Sequence, residues 1–189
     1  LVNSTKNTGT AKIINWYKDR HPTWQLSNGN TPLNPETQQT IDLYYSTIIE
    51  TLEKEFGEIT ITYGFTSLEL YKHVQKLSPQ HTAPNLDQHA GYELNSRNNR
   101  ICKRDGLACD FLIKGYENDM GTIAKYIVRH LPFDRLYFYG NNKPLHVSIG
   151  PENSQFIQYL LPSKKSGRRY PSKRYNKDNY LNAEFKEYS

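Results

Sequence analysis

Sulfur is scarce in this chain: two cysteines and one methionine in 189 residues. Cys102 and Cys109 cannot build the set of bridges that staples small secreted domains. They read as reduced thiols of a cytoplasmic protein, with a single bridge between them as the alternative. Their spacing is not that of a closed zinc module. Long apolar runs are also missing, and nothing approaches the roughly 18–20 residues a membrane helix needs, so no membrane partner is expected. The opening LVNSTKNTGT lacks the charged, then apolar, then small progression of a secretory leader. The chain starts at Leu1, which also fits a leader removed earlier. Mean hydropathy is low at −0.81, yet aromatics reach 13%, fifteen of them tyrosines. Such rings bury large areas, which excludes a disordered chain. The length suits one domain with a substantial core.

Net charge is +5, and its placement says more than its size. From Lys164 to Lys177 the chain reads KKSGRRYPSKRYNK without one acid. The plain reading is a solvated, partly flexible tail. The functional one is contact with phosphate or nucleic acid through Lys164, Lys165, Arg168, Arg169, Lys173 and Arg174.

Periodicity supplies the elements. INWYKDRH predicts a short helix ending at His21-Pro22. Asn34-Pro35-Glu36 is a helix start, with a cap and a proline at the first helical position. Ile41, Tyr44, Tyr45, Ile48, Ile49, Leu52 and Phe56 then form one helical face that Gly57 ends. EITITYG alternates as a half-buried strand. Ser67 caps a helix whose inner face is Leu68, Tyr71 and Val74. Pro79 and Pro84 mark a loop. A strand continues after Asp110 as FLIKG. Glu117 to Leu131 predicts a second long helix, and FDRLYFY with PLHVSIG an antiparallel hairpin across Gly140-Asn141-Asn142. The sum is an α+β fold, a small antiparallel sheet flanked by helices. Beyond Pro162 no regular element is predicted.

Four of these pieces occur in the order of a known pattern. Tyr63-Gly64-Phe65-Thr66-Ser67 forms a turn after a strand. Gly106-Leu107-Ala108-Cys109-Asp110 is a Gly-x-Ala-x-Asp element, and Asp87-Gln88-His89 reads as the start of the same motif, parted from it by an inserted loop. Leu145-His146-Val147-Ser148 closes the hairpin opened by Leu131-Pro132-Phe133-Asp134-Arg135-Leu136. From about Ile59 to Gly150 the chain resembles the zinc D-alanyl-D-alanine carboxypeptidases, whose fold is shared with the Hedgehog signalling domain. The resemblance implies a single zinc-peptidase-like domain over 1–162, its motif-bearing core at about 34–161, followed by a basic extension at 163–189. It implies Zn2+ held by His89, Asp110 and His146, with a fourth position open for chemistry, and peptidoglycan-type peptides as substrate.

Departures from the family are as informative. The family's turn arginine, which grips a substrate carboxylate, is Thr66 here. Its general base, an acid three residues before the last histidine in many members, is Lys143, and Tyr139 on the preceding strand is no acid. Glu93 on the inserted loop is a third candidate for the base. Thr66, Arg104 and Ser148 are candidates for substrate contact. Lys143 and Arg104 near a metal favour an anionic substrate, such as a phosphate ester or nucleotide, over a small peptide. The first reading is therefore a zinc-dependent hydrolase with the peptidase-specific groups replaced. The alternative is a catalytically altered zinc-fold protein that binds a nucleotide or nucleic acid through a basic cleft and tail. His21, His73, His81 and His130 read as structural or exposed. His21-Pro22-Thr23 with His146-Val147-Ser148 would also fit a two-histidine phosphodiesterase, although Pro22 disfavours the strand that reading needs.

Overall fold

In the computed structural model, which describes residues 2–25, 29–77, 86–162, 166–167 and 169–186, an α+β fold is built on one mixed sheet. The sheet has six strands in the order β1-β2-β4-β3-β5-β6. They are β1 (Ile59–Tyr63), β2 (Leu107–Ile113), β3 (Arg135–Phe138), β4 (Leu145–Ile149), β5 (Phe156–Pro162) and β6 (Arg169–Tyr175). The helices are α1 (Val2–Arg20), α2 (Pro35–Tyr44), α3 (Glu50–Phe56), α4 (Leu68–Leu77) and α5 (Met120–His130). The loop expected at Pro79 to Pro84, with His81, lies outside the described residues.

Helix α1 begins well before the predicted INWYKDRH segment. Its inner face, Ile13, Trp16 and Tyr17, is buried. Trp16 Nε1 donates to Phe65 O at 2.8 Å and Phe65 N to Ile13 O at 3.0 Å. Those bonds tie α1 to the end of β1, a long-range docking that local periodicity does not encode. Helix α2 starts as predicted, with Asn34 Oδ1 accepting from Glu36 N at 2.9 Å. The single helix expected to Phe56 is interrupted by a π turn at Tyr45–Ile49. Ile48 and Ile49 are both buried there, whereas Tyr45 and Phe56 are only half-buried. Gly57, at φ +103°, ends α3 in a conformation open chiefly to glycine. In α4 the buried residues are Leu70 and Val74; of the predicted face Val74 is buried, while Leu68 and Tyr71 are half-buried.

The predicted hairpin forms, β3 pairing antiparallel with β4. The expectation of a wholly antiparallel sheet is corrected by β5, which runs parallel to β3 on its far side. Asp134 holds the crossing. It is fully buried, its Oδ1 accepts from Ser154 N at 2.8 Å and Ser154 Oγ at 2.7 Å, and its Oδ2 accepts from Gln88 Nε2 at 3.0 Å. A buried carboxylate is tolerated only with such partners. The basic stretch expected as solvated tail is in part β6, paired antiparallel with β5. Behind it Phe185 returns to the core, stacked on Tyr159 at 5.5 Å.

One face of β2 is wholly apolar: Leu107, Cys109, Phe111 and Ile113 are fully buried. Tyr44 of α2 reaches that side, its hydroxyl donating to Val147 O at 3.0 Å. Period-two alternation sends Asp110 to the opposite face.

Candidate metal centre

Sheet register assembles most of the site. Asp110 of β2 stands opposite His146 of β4, which stands opposite Tyr137 of β3. On the other side a bulge between Ile61 and Tyr63 sets Tyr63 of β1 opposite Asp110. Laterally paired residues share a face, so one row across four strands reads tyrosine, aspartate, histidine, tyrosine. The Tyr137 ring stacks on His146 at 4.6 Å and 12°, which limits imidazole rotation.

His89 arrives from outside the sheet. It sits on a turn rather than a strand end, preceded by Leu86, Asp87 and Gln88, all at positive φ. Gln88 Nε2 donates to Asp105 O at 2.7 Å as well as to Asp134, tying the turn to both flanks. The excursion between His89 and Asp110 carries a small hairpin, with Leu94 bridged to Arg100, and it returns to β2 at Gly106. The inserted hairpin does not keep His89 from reaching Asp110.

His89, Asp110 and His146 come together, their candidate ligand atoms all within 4.8 Å of one another. His146 Nδ1 lies 2.7 Å from Asp110 Oδ1 and His89 Nε2 lies 3.5 Å from the same oxygen. Both imidazoles are buried, while Asp110 keeps a quarter of its side chain exposed. His89 Nδ1 faces Gly64 O at 3.2 Å. A carbonyl only accepts, so Nδ1 carries the proton and Nε2 presents a bare lone pair. That lone pair and a carboxylate oxygen then face each other, and His89 Nε2 has no hydrogen-bond partner. A proton there would relieve the repulsion, but burial holds the His89 pKa below its ordinary value despite the pull of Asp110. A cation relieves it without that cost. Burial alone would raise Asp110, yet His146, with Nδ1 2.7 Å from Oδ1, outweighs it and holds the carboxyl ionised, far below its usual range. Ligand atoms on a tetrahedral ion with bonds of 2.0–2.1 Å stand about 3.3 Å apart, close to the His89–Asp110 spacing. The group could hold a metal ion once His146 Nδ1 gives up its 2.7 Å contact with Asp110 Oδ1, and the Gly64 carbonyl behind His89 is placed as the outer support metal-ligating histidines usually have.

The centre opens on a cleft of about 910 Å3 lined by Asp110, Tyr63, Trp16, Tyr17, Arg20, His21, Tyr139, Lys143 and Arg169, among others. Of the candidates for the base, Lys143 and Tyr139 line it. Burial pushes the Tyr139 phenol well above its ordinary pKa, so it stays protonated at neutral pH. Glu93 is corrected: it is buried, and its carboxylate accepts from Leu33 N and Asn34 N at 3.0–3.2 Å, bracing the start of α2. Thr66 is buried and donates to Gly64 O at 3.1 Å. Ser148 Oγ accepts from Arg135 N at 3.1 Å inside the sheet. Arg104 pairs with Asp87 beneath the His89 turn. These last three are occupied with internal contacts and do not line the cleft.

Among the basic-stretch candidates, Lys164, Lys165 and Arg168 lie outside the described residues. Lys173 and Arg174 are exposed on β6, and Arg169 is in the cleft. His21-Pro22-Thr23 occupies a turn after α1, so the strand a two-histidine phosphodiesterase needs is not there. His73 and His130 stand apart from the centre, near Tyr17 and Tyr126.

Arg20 and Tyr137 escaped the sequence reading, and Tyr63 entered it only as the start of the turn motif. Tyr137 had one signal, its place on the strand before His146, but the hairpin register decides which residue faces the imidazole. Arg20 had none, since only the docking of α1 brings it near. No protein-family model, no curated protein and no solved structure matches the chain.

Proposed function

We propose that the protein is a zinc-dependent hydrolase whose metal is held by His89, Asp110 and His146. One observation carries the reading: two buried imidazoles and a carboxylate converge, with His89 Nε2 bare and unpartnered toward Asp110. Two histidines and one carboxylate, with the remaining position open to a cleft, is the donor set of catalytic zinc. Zinc there would supply a Lewis acid and bring water ionisation toward neutral pH. The order of the motifs supports a D-alanyl-D-alanine carboxypeptidase/Hedgehog-like arrangement, and peptidoglycan-type peptides are that family's substrate. The chain's own residues divide the remaining work. Asp110 orients the imidazoles, Tyr137 and Gly64 fix their rotation, and Tyr139 offers a proton to a leaving group. Lys143 stands where the family's base would be expected.

Metal content of the purified protein tests this directly. Wild type is expected to hold one zinc per chain, and Asp110→Ala and His146→Ala to lose it. Full stoichiometry in both variants would refute the ligand assignment. Hydrolysis of a peptide panel should stop on chelation and return with zinc, and Tyr139→Phe should lower kcat more than it changes KM.

A second reading, binding of a nucleotide or nucleic acid by an inactive centre, is favoured by the exposed Arg169 and Arg174 on β6. It requires affinity that falls steeply with salt and turnover that no metal restores.

A further inference from the structure

Arg20, Lys143 and Arg169 come from the end of α1, the β3–β4 turn and the start of β6, yet all line the cleft that contains Asp110. None of the three meets a carboxylate among the described residues. Their tethers are neutral. Arg20 Nη1 donates to Thr62 O at 3.0 Å. Arg169 Nη1 donates to Leu160 O at 2.7 Å and to Tyr139 O, and its guanidinium lies 5.5 Å from the Tyr139 ring centroid. Carbonyl bonds orient a guanidinium without cancelling its charge. Asp110 is the sole carboxylate among the lining residues, and it is engaged by His146 Nδ1 at 2.7 Å. The open side of the cleft therefore gathers positive charge from separate elements with no counter-charge among the described lining residues beyond Asp110, an arrangement that raises the local concentration of anions.

We propose that the substrate enters this cleft by a phosphoryl group held between Arg20, Lys143 and Arg169, which places a phosphorylated small molecule beside the metal centre. The proposal rests on the hydrolase reading above and names its substrate class. Two arginines and a lysine carried by three separate elements offer more donors than a carboxylate has oxygens. Oriented guanidiniums with a point-charge ammonium suit a dianion better than a monoanion. The cleft volume is that of a small-molecule site, which argues against a nucleic-acid strand as the main occupant. With Thr66 in place of the family's turn arginine, the carboxylate clamp of a peptidase is absent from the turn where the resemblance would put it.

Inorganic phosphate is the probe, titrated calorimetrically into protein stripped of metal and then dialysed free of chelator, with acetate in parallel. Phosphate should bind at least about tenfold more tightly than acetate, and the double variant Arg20→Gln/Arg169→Gln should lose about tenfold or more. Lys143→Gln should weaken phosphate by a smaller factor. All three side chains are exposed, so thermal melts should match wild type, and zinc uptake should be unchanged. Equal binding of phosphate and acetate, or wild-type phosphate affinity in the double variant, overturns the clamp while leaving the metal centre intact. Phosphate binding with no zinc uptake by wild type would support the clamp and refute the centre, so the two claims fail separately.

Discussion

Gly64 sits where α1, β1 and the His89 turn meet. Its carbonyl accepts from His89 Nδ1 and thereby selects the tautomer. A Cβ on it would lie 2.3 Å from Ile13 O and 2.9 Å from Trp16 Cδ1, so any larger residue must push α1 off the sheet. Gly64→Ala should therefore cost about 1–3 kcal/mol of stability by overpacking. It should also lower zinc affinity by roughly 10–100-fold, since the support behind a metal-ligating histidine is disturbed. Urea unfolding and competitive zinc titration read the two effects; unchanged zinc affinity in a destabilised variant would confine Gly64 to packing. The turn Tyr63 to Ser67 was legible as a motif. What the glycine does there was not, because the atoms that forbid a side chain belong to a helix some fifty residues earlier in the chain.

At the scale of elements, β6 and the chain behind it change the meaning of the C-terminal region. RYPSKRY has no apolar alternation because an edge strand exposed along nearly its whole length needs none. The pairing partner, β5, was equally hard to foresee, since its parallel match to β3 depends on a crossing held by buried Asp134. Phe185 is buried against Phe138 and Tyr159, and its backbone N–H donates to the Tyr159 hydroxyl at 2.7 Å. Phe185→Ala should destabilise the whole sheet by about 3–5 kcal/mol, visible as a lowered Tm. A fall below about 1 kcal/mol would mean that this segment is not integral to the core. By contrast α2, β1 and the β3–β4 hairpin were readable locally: caps, periodicity and a Gly-Asn-Asn turn act within a few residues.

Across the whole molecule, buried ionisable groups set the alkaline limit. Burial raises the pKa of Tyr44 and Tyr159 above the ordinary 10.0 and that of the Cys109 thiol above 9.0. Above those values the unfolded chain releases protons that the folded chain retains. The stabilisation is thus complete below them and is lost as pH rises through that window. Denaturant midpoints should fall above pH 9.0 and more steeply above 10.0, and Tyr44→Phe should shrink the second loss. Under the proposed zinc centre, metal at a hundredfold excess over its Kd should add about 2.7 kcal/mol, removable by chelator. A protein equally stable with and without zinc would count against a native centre. Among the described residues no helix is long and apolar enough to cross a membrane.

By itself the sequence determined the α+β class, the starts of α2 and α4 and the strands β1, β3 and β4, because residue type and local spacing carry those. His89, Asp110 and His146 followed from the motif order of the resemblance. Tertiary structure alone decided that His89 comes off a turn, that Tyr137 stacks on His146, that Glu93 braces a helix, and that Arg20 and Arg169 share a cleft with Asp110. Register and docking are set by surfaces matched over the whole chain, and the energy that chooses among alternatives exists only once those surfaces are in contact.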